Sequence, residues 1–189
     1  MSFFENKEFN KIDFTIESNF GKEYYRCKFV NCNLENTDLS GILFEECEFI
    51  TCNLSGIKVK NTSLRDVLFK DCKILGVDFN TINAITFEIE VENSTLNFSS
   101  FYQISLKNIK FINVKLHEVD FTESNLEQSS FENCEFNGSI FENTNLKNAD
   151  LSSSYGFIID PEQNNLMNCK ISKANLVNLL TKYKLDIVD

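Results

Sequence analysis

Three kinds of group in this 189-residue chain could do chemistry: a single histidine, His117, seven cysteines and 28 carboxylates. A histidine held between an acid and a nucleophile moves protons. Thiols gathered with an imidazole hold zinc. Two carboxylates in unlike surroundings divide the roles of acid and base. Each use requires an element that brings the groups together, so the element decides between them. No Gly-rich phosphate loop and no nucleophile-elbow pattern is present.

The element is a repeat of five residues. Large apolar residues stand at every fifth position from Phe29 through Phe79, and again from Leu96 through Leu151. Two residues before each centre lies a small or β-branched residue, among them Cys27, Cys32, Cys47, Cys52, Cys72 and Cys134. A period of five suits neither a helix nor a strand. If each unit forms one side of a square coil, both apolar positions point inward and four units close a turn. Residues twenty apart then stack, as Phe29, Phe49 and Phe69 would, and coils lie roughly 4.8 Å apart. The composition agrees: 25 Asn against 6 Gly and one Pro imply one turn type used repeatedly, with Asn in place of Gly.

In this register His117 follows a centre and should face solvent without a fixed acid partner. Six cysteines read as compact core residues, and zinc is not expected beside one histidine. Hence no catalytic, cofactor or metal site is expected, and the chain is not expected to be an enzyme. The N-terminus lacks the layout of a signal peptide and no stretch reaches membrane-span length, so a cytoplasmic protein with no membrane contact is expected. A net charge of -10 argues against direct nucleic-acid binding and for a basic partner.

The acids are unevenly placed. Between Lys115 and Lys147 stand Glu118, Asp120, Glu123, Glu127, Glu132, Glu135 and Glu142 with no Lys or Arg, whereas residues 25–84 hold eight acids against seven bases. The two tracts are out of phase by two residues, and Ile85, Phe87, Ile89 and Val91 alternate with Thr86, Glu88, Glu90 and Glu92. A bulge, kink or short projecting loop is expected at 84–94, either as a tolerated insertion or as an acidic contact site. A weaker irregularity runs from Asn19 to Tyr24. The repeat is expected to fill residues 1–155, with a turn, a helix and a short strand in 156–189. Asp160-Pro161 marks the turn, and Ser172 would cap a helix carrying Leu176, Leu179, Leu180 and Tyr183 as one apolar stripe. That stripe would cover the last coil, join two subunits, or both, with Leu185, Ile187 and Val188 adding to it.

Cys32-Asn33-Leu34, Cys52-Asn53-Leu54, Thr37-Asp38-Leu39-Ser40-Gly41 and Ala149-Asp150-Leu151-Ser152-Ser153 resemble the A(D/N)LXX unit of pentapeptide-repeat proteins. The resemblance covers about residues 25–155. It implies an all-β, right-handed quadrilateral β-helix with a C-terminal capping and dimerisation helix. The ending at Ile159-Asp160-Pro161, Ser172, Leu179-Leu180, Tyr183, Leu185 and Ile187 is similar to that of the Qnr-type and MfpA-type fluoroquinolone-resistance branch. This likeness implies an acidic DNA mimic that binds DNA gyrase or topoisomerase IV, and a homodimer through Leu176, Leu179, Leu180 and Tyr183. The long inserted loops of many Qnr-type members are absent. By charge density the imitation is partial: a rod of about 36 Å would face a duplex carrying about 21 charges, against a net 10 here. A rod-like adaptor with a partner unrelated to DNA is the alternative.

Overall fold

The backbone turns a corner every fifth residue. Positive φ recurs at Asn31, Asn36, Gly41, Glu46, Thr51, Gly56, Asn61, Asp66, Asp71 and Gly76, then from Asn93 at the same interval through Asn148. Only Gly, and Asn or Asp among side-chain-bearing residues, enters the left-handed region at low cost. The asparagine-rich composition is therefore the corner requirement repeated down the chain. The computed structural model describes residues 2–16, 20–186 and 188.

Between corners the chain runs as short parallel strands. Phe3–Glu5, Glu23–Tyr25, Leu43–Glu45 and Ser63–Arg65 form a four-stranded sheet on one side. Glu8–Asn10, Lys28–Val30, Glu48–Ile50, Val67–Lys70, Ile89–Glu92, Lys110–Ile112 and Ser130–Glu132 stack in that order on another. Residues exactly one coil apart pair, as Lys28 with Glu48 and Lys110 with Ser130. The expected all-β quadrilateral solenoid is the observed architecture. Along the second side the rungs Glu8, Lys28, Glu48, Leu68, Glu90, Lys110, Ser130, Asp150 and Lys170 make eight steps. At roughly 4.8 Å each, the rod is about 38 Å long.

The centres fill the bore as stacked aromatic columns. Phe9, Phe29, Phe49 and Phe69 lie face to face with centroids 4.9, 4.6 and 5.2 Å apart, and Phe79, Phe101, Phe121 and Phe141 continue at 4.7, 5.5 and 5.2 Å. The small inward position does more than fill space. The thiol, hydroxyl or amide there donates to a main-chain carbonyl of the coil below: Cys47 Sγ to Tyr24 O, Cys72 Sγ to Phe49 O, Thr144 Oγ1 to Phe121 O and Ser154 Oγ to Phe131 O, at 2.8 to 3.4 Å. These cysteines are thus donors as well as packing groups, which the reading of them as small apolar residues omitted.

The coil begins at Phe3, within the expected 1–155 and ahead of the stretch that carries the family resemblance, as Phe4 stacks on Tyr24 and Phe9 on Phe29; the five-residue spacing of Phe4, Phe9 and Phe14 is its signal. Part of the irregularity at 19–24 lies outside the described residues. From Phe20 on, the chain folds over the first coil, with the Phe20 ring 4.9 Å from Phe14 and Gly21 N donating to Tyr24 Oη at 2.8 Å. At the far end the ladder passes 155: Asn145 pairs with Asn165 and Asp150 with Lys170. There Phe157 and Ile159 replace the expected centres, and Asn164 donates through Nδ2 to Phe141 O at 3.0 Å.

The register break is as read. Across it the pairing offset becomes 22, joining Val67 to Ile89 and Lys70 to Glu92. Asn83 N still bonds Thr62 O, and the two extra residues are taken up after it, at the tight 3-10 turn Ala84–Thr86 capped by Asn83. Ile85 stands 95% exposed at the tip.

The terminal segment corrects the expected helix. Lys173–Leu179 and Thr181–Tyr183 wind as 3-10 turns, and Ser172 makes no side-chain capping bond. With three residues per turn, Leu176, Leu179 and Lys182 share an edge and the expected four-residue stripe divides. The winding is fixed by side chains reaching back to the last coil, including Asn175 Nδ2 to Ser154 O at 2.7 Å. Ile187, expected to extend the stripe, lies outside the described residues.

Replacing Phe121 with Ala opens a hole in a closed aromatic column and is expected to cost about 3–5 kcal/mol. The denaturant midpoint of the purified variant measures this; an unchanged midpoint would contradict the stacking.

Candidate partner-binding surface

All ten acids expected to bind a partner lie on the outside of the rod, but the coil above or below supplies a side-chain partner to four of them. Side chains one coil apart stand opposite each other, so a cation at the stacked position pairs with the acid. Glu90 pairs with Lys110 at 2.7 Å and Glu92 with Lys70 at 2.9 Å. Glu127 lies between Lys107 at 3.1 Å and Lys147 at 3.5 Å. The Lys107 hydrogen bond holds its carboxyl below the ordinary carboxylate range.

Glu135 is the fourth, and it corrects the reading of the histidine. His117 Nε2 lies 3.0 Å from Glu135 Oε2, so the imidazole has an acid partner one coil above. Asn137 Nδ2 approaches the same nitrogen at 3.4 Å. The Glu135 carboxyl is lowered first by a hydrogen bond from Tyr155 and then by His117. No Ser, Thr or Cys side chain is hydrogen-bonded to His117, and no group of metal-ligating residues occurs among the described residues. The arrangement is a surface polar cluster.

Glu88, Glu118, Asp120, Glu123, Glu132 and Glu142 have no cationic partner among the described residues. Asp120, Glu123 and Glu142 share one side, with half-exposed Ile140 stacked above Asp120. Glu118 lies on an adjoining side and Glu132 on the opposite one, and Glu88 flanks the projecting turn. The six therefore form a wrapped acidic zone between residues 118 and 142 with one outlier. Beside the turn, Ile85, Phe87 and Glu88 overhang a cleft of about 770 Å³ whose opposite rim includes Lys107 and Lys110. The exposed Ile85 was not singled out from sequence; its place beyond the two-residue phase slip is the signal.

The seven cysteines are free and six are buried; the hydrogen bond with Cys52 holds the Cys72 thiol below its ordinary value. Burial pushes the Cys47 thiol up to about 11 and the Cys134 thiol to about 12, away from the thiolate that nucleophilic use requires.

Of the residues expected to join two subunits, Leu176, Leu180 and Tyr183 are exposed, while Leu179 packs against the core. Val177, Leu185 and Val188 add exposed apolar surface. The segment is tied down by a charge cluster that sequence reading missed: Lys182 Nζ contacts Asp160 Oδ1 at 2.7 Å and Glu162 Oε2 at 2.5 Å, and Tyr183 Oη donates to Glu162 Oε1 at 2.6 Å. Hydrogen bonds to Lys182 hold both carboxyls below their ordinary range.

The description "Pentapeptide repeat region" matches residues 22–99 and 87–155. No curated protein matches the chain. Among solved structures, a trypsin-treated variant of QnrB1, a plasmid-mediated fluoroquinolone resistance protein, superposes with a TM-score of 0.62 at 18% identity, covering 100% of this chain and 92% of that one. Full-length QnrB1 gives 0.62 at 16% identity, covering 97% and 100%. At these identities the likeness is one of fold. No helix in the described residues is long and apolar enough to cross a membrane.

Because folding depresses the Asp160 and Glu162 carboxyls, their contribution is present above the unfolded carboxylate range, about 4, and is lost as pH falls through the lower folded values. Protection of 173–185 against hydrogen exchange, relative to the intrinsic rate at each pH, is expected to be lost in acid before that of the central coils. Lys182→Ala should produce the same loosening at neutral pH; equal protection in that variant would remove the cluster from this role.

Proposed function

Since the chain belongs to the pentapeptide-repeat family, we propose that it is a non-enzymatic, cytoplasmic binding protein of the Qnr type, whose acidic half imitates duplex DNA toward DNA gyrase or topoisomerase IV and so lessens fluoroquinolone action. The observation that carries this reading is the unpaired acidic zone of Glu118, Asp120, Glu123, Glu132 and Glu142 on a straight parallel stack. A surface whose acids remain unmatched is available to the basic saddle that would otherwise hold DNA. Against about 22 charges on a duplex of about 38 Å, the chain carries a net -10. The imitation rests on outline and local field, and complementarity of this kind chiefly accelerates encounter. The fold similarity to QnrB1 supports the same reading.

Self-association belongs to the proposal. Leu176, Leu180 and Tyr183 present apolar surface at the end of the rod, and joining two such ends would double the length of acidic surface. One observation favours the alternative of an adaptor with a partner unrelated to DNA. Three of the ten expected acids are matched by lysines within the rod and a fourth, Glu135, meets the His117 ring, a pattern that organises the protein's own surface.

Gyrase supercoiling in the presence of a fluoroquinolone, titrated with the purified protein at several salt concentrations, tests the reading. Restored supercoiling that weakens with salt and is lost in Asp120→Asn/Glu123→Gln/Glu142→Gln is expected. No effect on either topoisomerase would favour the adaptor. In sedimentation, Leu176→Asp/Leu180→Asp is expected to give a folded monomer, whereas a persisting dimer would place the contact elsewhere.

A further inference from the structure

We propose that Asn137 is a self-modification site, whose carboxamide is converted to a carboxylate by attack of the following main-chain nitrogen. Asn137-Gly138 is the single Asn-Gly pair in the sequence. The pair occupies the two central places of a tight turn closed by Ser139 N to Phe136 O at 2.9 Å. Gly138 has φ +73, as the third residue of a type II turn requires. Without a Cβ at 138, the nitrogen is open to the Asn137 side chain.

The turn differs from its stacked counterparts in one hydrogen bond. At the equivalent corner of lower coils, Asn36 N, Gly56 N, Gly76 N, Phe98 N and Glu118 N donate to Ser55 O, Leu75 O, Asn97 O, His117 O and Asn137 O at 2.8 to 3.0 Å. Gly138 N makes no such bond among the described residues, because the coil above leaves the repeat at Gly156 and Phe157. The peptide unit between 137 and 138 is held only through its carbonyl, by Glu118 N at 2.9 Å. Its nitrogen, the attacking atom, is uncommitted.

The Asn137 side chain is exposed, and its Oδ1 is seated where a Cβ at 156 would stand only 2.5 Å away, a place that glycine leaves open. The leaving nitrogen lies 3.4 Å from His117 Nε2, itself paired with Glu135. In the reaction Gly138 N bonds to Asn137 Cγ, the Cγ–Nδ2 bond breaks, and ammonia departs carrying the proton lost from Gly138. One water then opens the cyclic imide, at Cγ to give aspartate or at the main-chain carbonyl to give isoaspartate. Nothing is oxidised or reduced. The product adds a negative charge beside His117, on the side that carries Glu118 and Glu135.

The full chain held in mildly alkaline buffer and followed by peptide mapping tests this. A gain of about one mass unit is expected at residue 137 well before any other asparagine, with later elution from an anion exchanger and labelling by isoaspartyl methyltransferase. Asn148 is the internal control, since Ala149 N is bonded to Leu146 O at 3.0 Å. Conversion at 137 no faster than at 148, or the same gain in that peptide of Asn137→Gln, would overturn the proposal.

Discussion

One left-handed residue in every five is the constraint from which this structure follows. A corner at that interval makes each side too short for a helix and long enough for three extended residues, so successive coils pair in parallel and in register. The pairing then places like residues above one another. Aromatic centres stack, and amides form unidirectional ladders, as Asn145 Nδ2 to Asn125 Oδ1 at 2.8 Å and Asn165 Nδ2 to Asn145 Oδ1 at 2.9 Å. It also turns a carbonyl of each side into the narrow bore, where water cannot reach it. A buried carbonyl without a donor is costly, which explains why Cys, Ser and Thr recur two residues before the centres.

The magnitudes separate the inside of the rod from its outside. Truncating a buried phenylalanine costs several kcal/mol, whereas an exposed ion pair contributes about 0–1 kcal/mol. Stability therefore resides in the columns and carbonyl caps, and the outward charges are free to follow other demands. Pairs such as Lys28 with Glu48 at 3.1 Å are the default where opposite charges stack. Within the stretch from Glu118 to Glu142 only Glu127 follows it; the positions one coil from Glu118, Asp120, Glu123, Glu132 and Glu142 hold no Lys or Arg.

Much of this was legible in the sequence, since a period read along the chain becomes position in space without long-range guesswork. The inward residues, the stacked columns, the phase slip and the outward acids all followed from counting fives. What escaped depends on contacts that counting cannot supply. His117 and Glu135 are eighteen residues apart, not twenty, and their meeting depends on side-chain reach across two adjacent rungs. The tie between Lys182 and Asp160 lies where the period has ended. For the last turns, apolar spacing favoured an α-helix, but Asn175 and Lys182 anchor the segment to the coil beneath and select a tighter winding. At the start, the irregularity around Gly21 hid the repeat of Phe4, Phe9 and Phe14.

The phase slip interrupts one aromatic column of the stack. In a linear array each coil is stabilised by its two neighbours, so the weakest junction sets where order can be lost internally. Here the column running from Phe9 to Phe69 ends against Val91, and a new one starts at Phe79 and passes through Phe101. Ring-on-ring contact is thus interrupted on one side at the coil that also accommodates two extra residues. The joint is held instead by four paired residues, Val67–Lys70 on Ile89–Glu92, where the other steps of that side have three, and by Phe79 stacked on Phe101 at 4.7 Å, so the array runs through the slip without a break in its ladder.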